Sequence, residues 1–318
     1  MNIRITYFLI GITIFQFQAC SQQNQDREKN IKEAINSFNS NQYNNALSSF
    51  DKLIQFDSLD FVSWTFRGRT LHLLHRDDEA LKSFNKALLI NPKYYEGYSY
   101  RATLFSLNGK PDLALRDMNM ALIGAPNDTI LLKLRASYFI KNDKFDSSII
   151  DCNRLLRLNP NNAEVFYIRG TAQKKAGQTD QALKDFNSSL ELNPGDPEVH
   201  NDRGFILMAQ EKYDLASLDF AKSIQLAGIE DSTAKAYAYN NRGFCFYKTN
   251  DLKKALSDVN KSLELLSTNT YAYKNRALIF LSMKNISAAC KDLETSLNLG
   301  FTEKYGDEVI NLLSQSCK

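Results

Sequence analysis

Residues of one kind return along this chain every 34 positions, and that period decides what the chain can fold into. Rows of this length align from residue 27. One column reads Ala46, Ala80, Ala114, Ser148, Ala182, Ala216, Ala255, Ala289. Four places later stand Phe50, Phe84, Met118, Cys152, Phe186, Phe220, Val259, Leu293. Twelve places before the alanines come Ala34, Gly68, Ala102, Ala136, Gly170, Gly204, Gly243, Ala277, all small. Pro92, Pro126, Pro160 and Pro194 mark the ends of four rows, and an insertion near 231–235 shifts the last two rows by five places. A length of 318 residues would otherwise suggest two globular domains. A fixed period of this size means stacked supersecondary units instead.

Each row holds two segments with apolar residues at helical spacing. The proline near the row end lacks an N–H and stops the second helix. Only 13 Gly and 6 Pro are present, too few for a sheet-and-turn architecture. The columns resemble the tetratricopeptide repeat, with small residues at positions 8 and 20, a bulky one at 24 and Pro at 32. Row two is the closest match, with Trp64, Gly68, Ala80, Phe84, Ala87 and Pro92. The resemblance implies an all-α, right-handed superhelical solenoid of about eight helix-turn-helix hairpins over 27–303, with first helices lining a concave face. One hairpin cannot bury its apolar faces alone, so neighbours must stack. The segment 304–318 reads as a capping helix whose apolar face is Val309, Ile310, Leu312 and Leu313.

The first twenty residues have the layout of a secretory signal peptide: Arg4, then the apolar run Tyr7 to Phe15, too short to span a bilayer comfortably. Phe17-Gln18-Ala19-Cys20 follows, and a Cys after a small residue resembles the lipobox of bacterial lipoproteins, although Phe17 and Gln18 depart from that motif. The resemblance implies a signal at 1–19, acylation of Cys20 after cleavage, and a polar tether over 20–26. Ser21, where Asp would favour inner-membrane retention, points to the outer membrane, facing the periplasm.

Two charged columns run through the rows. Arg67, Arg101, Arg135, Arg169, Arg203, Arg242 and Arg276 stand at position 7; Asp117, Asp151, Asp185, Asp219, Asp258 and Asp292 stand at position 23. They read as ion pairs between packed helices, which fix register more than they stabilise. Cys290 and Cys317 would meet if the cap packs antiparallel on the last repeat helix, and an exported protein keeps its disulfides. Cys152 sits in the bulky apolar column. His72 and His75 read as surface residues without a third metal ligand, and His200 is remote from them. No Gly-rich phosphate loop, nucleophile elbow or CxxC is present. A net charge of +3 with interspersed signs lacks the clustered basic face of a nucleic-acid binder. No enzyme and no cofactor is therefore expected.

Function should reside on the first helices. In the family, their positions 2, 5, 9, 12 and 13 face the groove. In rows three to five these include Thr103, Lys133, Ser137, Lys141, Thr171, Lys174 and Lys175, a polar and rather basic stretch. Rows six to eight place Asn201, Phe205, Met208, Tyr237, Asn240, Phe244, Tyr247, Lys248, Tyr271, Lys274, Leu278 and Leu281 there. An extended peptide or partner helix would bury apolar side chains on such a strip. The Lys/Asn set with which some relatives grip a C-terminal carboxylate is not reproduced: its places hold Asn201, Phe205, Asn241, Tyr271 and Asn275. The expected function is a non-enzymatic scaffold binding protein or peptide partners of the cell envelope. A structural subunit of an envelope complex is the alternative, and sugar stacking on the aromatics a minor one.

Overall fold

The computed structural model describes residues 27–228 and 230–317. The proposed signal, tether and Cys20 lie outside them. All regular structure among the described residues is helical. Helix α1 covers residues 27–39. There follow α2 (Tyr43–Phe56), α3 (Phe61–Leu73), α4 (Asp77–Ile90), α5 (Tyr95–Leu107), α6 (Pro111–Gly124), α7 (Thr129–Lys141), α8 (Phe145–Leu158), α9 (Ala163–Lys175), α10 (Thr179–Leu192), α11 (Pro197–Ala209), α12 (Tyr213–Leu226), α13 (Ser232–Lys248), α14 (Leu252–Leu265), α15 (Thr270–Ser282) and α16 (Ile286–Asn298). Two short helices, α17 (Phe301–Tyr305) and α18 (Glu308–Ser316), end the chain. The insertion forms no loop: α13 absorbs it and runs to 17 residues where its counterparts have 13.

The described residues divide into two compact units, one ending at Lys144 and the other beginning at Phe145. Within each unit, odd helices before the cap are the first members of hairpins and even helices the second. In the first, Ala34, Ala46, Phe50 and Leu53 form one core cluster, and Leu47, Leu71, Ala80, Phe84 and Leu104 the next. In the second, clusters around Phe186, Phe220, Val259 and Leu293 succeed one another. Position 8 is small for a steric reason. A Cβ at Gly68 would lie 2.7 Å from the Phe84 ring, and one at Gly170 would lie 2.7 Å from that of Phe186.

Every hairpin turns at the same place. Asn41, His75, Gly109, Asp143, Gly177, Glu211, Asn250 and Lys284 all have positive φ, from 54° to 77°. Each ends a first helix with paired 5→2 and 6→1 bonds. His75 N–H donates to the His72 carbonyl and Arg76 N–H to that of Leu71, both at 2.9 Å. This left-handed cap satisfies the last helical carbonyls. Glycine supplies it at only two of the eight. First helices are often capped at their start by the residue before them: Asp60, Asp128, Asn162, Asp196 and Asn269 accept from backbone N–H groups of the first turn.

The arginine column is structural. Arg101, Arg169, Arg203, Arg242 and Arg276 each grip, through Nε and Nη2, the aspartate sixteen residues on, with Nε–Oδ2 between 2.6 and 2.8 Å. Those aspartates are buried. Hydrogen bonding to them holds Arg169, Arg242 and Arg276 above the ordinary arginine pKa. The third guanidinium nitrogen, Nη1, of Arg101, Arg135, Arg169, Arg203 and Arg276 reaches back sixteen residues to Asn85, Asn119, Asn153, Asn187 and Asn260. In these repeats one side chain thus pins its hairpin to the preceding one. Arg67 uses Asp51 and Ser83 instead.

Two expectations are corrected. The cap is two helices, broken where Gly306 takes φ +84°, a conformation that favours glycine. Ile310 is exposed rather than part of the apolar face; Val309 is buried, with Leu312 and Leu313 packed on the same cluster. His200 is buried, and its Nδ1 lies 2.9 Å from Asp219 and its Nε2 3.1 Å from the Pro194 carbonyl. Helix α18 packs on α16, and Cys290 and Cys317 are joined as a disulfide with Cα atoms 5.7 Å apart. Cys152 and Cys245 are buried free thiols.

Candidate partner-binding cavity

In the second unit, α11, α13 and α15 lie side by side and α17 closes the end. Residues three and four apart on one helix share a face. Tyr237, Asn240, Asn241 and Phe244 of α13 therefore line one wall of a cavity of about 500 Å³. Phe205 and Met208 of α11, Tyr271, Lys274 and Asn275 of α15, and Tyr305 of α17 complete it. Phe205, Tyr237 and Tyr305 are each nearly half exposed, at 48%, 48% and 47%. Aromatic surface so open to water is favourable to cover.

The floor is polar. Asn275 donates to Asn240 Oδ1 at 2.9 Å, and both are buried. Asn275 Oδ1 is buried with no hydrogen-bond partner among the described residues. Such an atom costs about 1–3 kcal/mol if left unsatisfied. Lys274 is 8% exposed; its Nζ lies 3.1 Å from Glu308 and 5.2 Å from the centre of the Tyr271 ring. Tyr271 in turn packs on Tyr305, ring centres 4.4 Å apart. The cap thus supplies both an aromatic wall and the counter-ion of the buried lysine.

A second cavity, of about 290 Å³, shares the Tyr237 wall. It is lined by Tyr167, Pro197, Glu198, Asn201, Asp202, Ser223, Ala227, Asp231 and Ala234 as well. The Tyr167 hydroxyl donates to Glu198 at 3.3 Å. Burial and the negative charges of Asp202 and Glu198 push the Tyr167 phenol above its ordinary pKa. Lys174 meets Asp202 at 2.8 Å, so that part of the supposedly basic stretch is neutralised.

Of the twelve strip residues, Phe205, Met208, Tyr237, Asn240, Phe244, Tyr271 and Lys274 line the larger cavity, and Asn201 lines the smaller. Tyr247 and Leu281 pack against core clusters. Lys248 sits 5.5 Å from the Tyr213 ring centre, and Leu278 lines neither cavity. Sequence reasoning passed over Tyr167, Glu198, Asp202, Asp231 and Tyr305, and took Asn241 and Asn275 only as places in a carboxylate-gripping set. Glu198 and Tyr167 stand at row positions 2 and 5, which the groove pattern includes. Tyr305 has no repeat register to reveal it. Among the described residues no group of His, Cys, Asp and Glu is placed to hold a metal ion, and no helix is long and apolar enough to cross a membrane.

Models of the tetratricopeptide repeat match residues 62–94 and 152–184. The chain carries tetratricopeptide repeats. Solved tetratricopeptide structures share its fold. The C-terminal part of a repeat-containing protein from Cytophaga hutchinsonii aligns at 21% identity and TM-score 0.61, covering 77% of this chain and 98% of that one. Pseudomonas aeruginosa pilF aligns at 18% identity and TM-score 0.57, covering 68% and 96%. The APC/C hetero-tetramer Cut9–Hcn1 aligns at 18% identity and TM-score 0.64 over 87% of this chain; this chain spans only about half of that one, 53%. No curated protein matches in sequence. Tetratricopeptide proteins are in general protein-interaction scaffolds, using surfaces built from successive repeats.

Proposed function

We propose that this protein is a non-enzymatic scaffold of the bacterial envelope, anchored by lipid on Cys20, that holds a partner protein or peptide on the first helices of its second unit. One observation carries the reading: a cavity of about 500 Å³ with half-exposed aromatic rings around a polar floor. Rings in this setting take apolar side chains from a partner, and the amides hold its backbone. Phe205→Ala with Phe244→Ala should abolish partner capture from crosslinked native envelopes while leaving the melting temperature and helical circular dichroism unchanged. Retained capture would sink the groove. Loss of labelled palmitate from a Cys20→Ser variant tests the anchor separately.

A second reading is a structural subunit that uses second-helix faces. Leu89, Ile123, Ile150 and Leu218, all on second helices, are each more than 60% exposed. Under that reading the cavity variants keep all partners, and Leu218→Asp loses them.

A further inference from the structure

We infer that the two cavities on either side of Tyr237 form one bipartite site for a peptide segment that carries a lysine or arginine close to a large apolar side chain. The inference rests on the groove reading above and names its ligand class.

The smaller cavity is the cationic compartment. Glu198, Asp202 and Asp231 line it. Among the described residues, only Asp202 of these three has an ammonium partner, Lys174. Glu198 and Asp231 are exposed, and the hydrogen bonds they accept come from neutral donors, the Tyr167 hydroxyl and the Gly228 N–H. The compartment therefore keeps an excess of negative charge. Asn201 Oδ1 lies buried there without a donor, so the site also lacks an N–H. A lysine ammonium or an arginine guanidinium brings both positive charge and N–H groups.

The larger cavity is the apolar compartment. Phe205, Phe244, Tyr271 and Tyr305 surround it, and its one cation, Lys274, is already matched by Glu308. The uncompensated demand at its floor is Asn275 Oδ1, on a residue 96% buried. A donor that enters there need not be charged; a peptide N–H suffices.

Charge complementarity selects among occupants. Nucleic acid and acidic peptides would set their charges against the carboxylates. A neutral glycan could stack on the rings but leaves the carboxylates without a counter-charge. A small free amine fills one compartment only. A peptide fills both, because alternate residues of an extended chain point the same way about 7 Å apart. Tyr237, which walls both cavities, would lie between the two side chains.

The test is a fluorescence-anisotropy screen of the full chain, in detergent, against a positional library of short labelled peptides. Selection should enrich Lys or Arg together with Phe, Leu or Tyr within a few residues. Affinity should fall as salt rises from about 0.05 to about 0.5 M. Glu198→Gln with Asp231→Asn, both exposed, should weaken the selected basic–apolar peptides by about fivefold to tenfold. The same pair should leave apolar peptides without a basic residue unchanged. Phe244→Ala should weaken both kinds. Apolar peptides selected with no basic preference, or equal binding by the acid-neutralised variant, would overturn the inference and leave the groove reading standing. Soluble oligosaccharides bound in place of any peptide would also overturn it. No peptide bound, together with undiminished partner capture by the Phe205→Ala/Phe244→Ala variant, would overturn both.

Discussion

Arg203 holds both oxygens of Asp219, Nε at 2.8 Å from Oδ2 and Nη2 at 2.7 Å from Oδ1, and His200 Nδ1 stands 2.9 Å from the same carboxylate. The carboxylate is almost fully buried, and its removal strands two polar partners. Asp219→Ala should cost about 3–5 kcal/mol in urea unfolding. Arg203→Lys should cost less but still measurably, because an ammonium cannot fork onto two oxygens and also reach Asn187.

Glu211 and Lys284 occupy the left-handed turn position at φ 59° and 60°. A Cβ there is strained, and glycine relieves it. Glu211→Gly and Lys284→Gly should each stabilise the fold by up to about 1 kcal/mol, the entropy of the unfolded chain offsetting part of the gain. Thermal melts read the effect, and a lowered midpoint would contradict it.

The Cys290–Cys317 bond closes a separation of 27 residues at the chain's end. Reduction, or Cys317→Ser, should lower stability by about 3.5 kcal/mol under a chain-entropy account. The effect should be local. Amide exchange should accelerate in α16 to α18 and barely change in α9, and a uniform acceleration would argue against a separately opening cap.

Cys152 and Cys245 have thiol pKa values pushed up to about 12, in both cases chiefly by burial. Both should resist alkylation of the folded protein near pH 8 and label on unfolding. The sign of the pH effect follows. The native state holds these protons more tightly than the unfolded state, whose thiols titrate near 9.0. Their contribution is therefore complete below about pH 9 and is lost as pH rises toward 12. Cys152→Ala with Cys245→Ala should flatten the alkaline fall in stability.

The hairpin array was legible because its smallest residues recur. Gly68, Gly170, Gly204 and Gly243 mark where helices touch, and no other residue type fits well. The arginine and aspartate columns were equally legible, and so was their pairing. The asparagine column of Asn85, Asn119, Asn153, Asn187 and Asn260 carries the same period. It stayed hidden because its partner lies in the following hairpin, and reading along a row looks within one. The turn column stayed hidden for a different reason. It is defined by backbone conformation, which Asn, His, Asp, Glu and Lys adopt here as well as Gly, so composition gave no sign of it. Half the cavity came from position counting on first helices. The rest did not, because Asp231 sits at the inserted segment and Tyr305 beyond the last repeat, where no column guides the eye.

The bridging arginines reach sixteen residues forward and sixteen back, a measure that stays true however many identical units the gene contains. Duplicating or deleting a whole repeat hands each such arginine an equivalent pair of partners, so the array can change length between generations without relearning its joints. An insertion of any other size cannot do this. The extra residues at the start of α13 leave Arg242 with Asp258, while the asparagine's place in the preceding row is held by Ala221, which has no side-chain acceptor. That altered joint lies beside the cavity, next to Asn241 on α13.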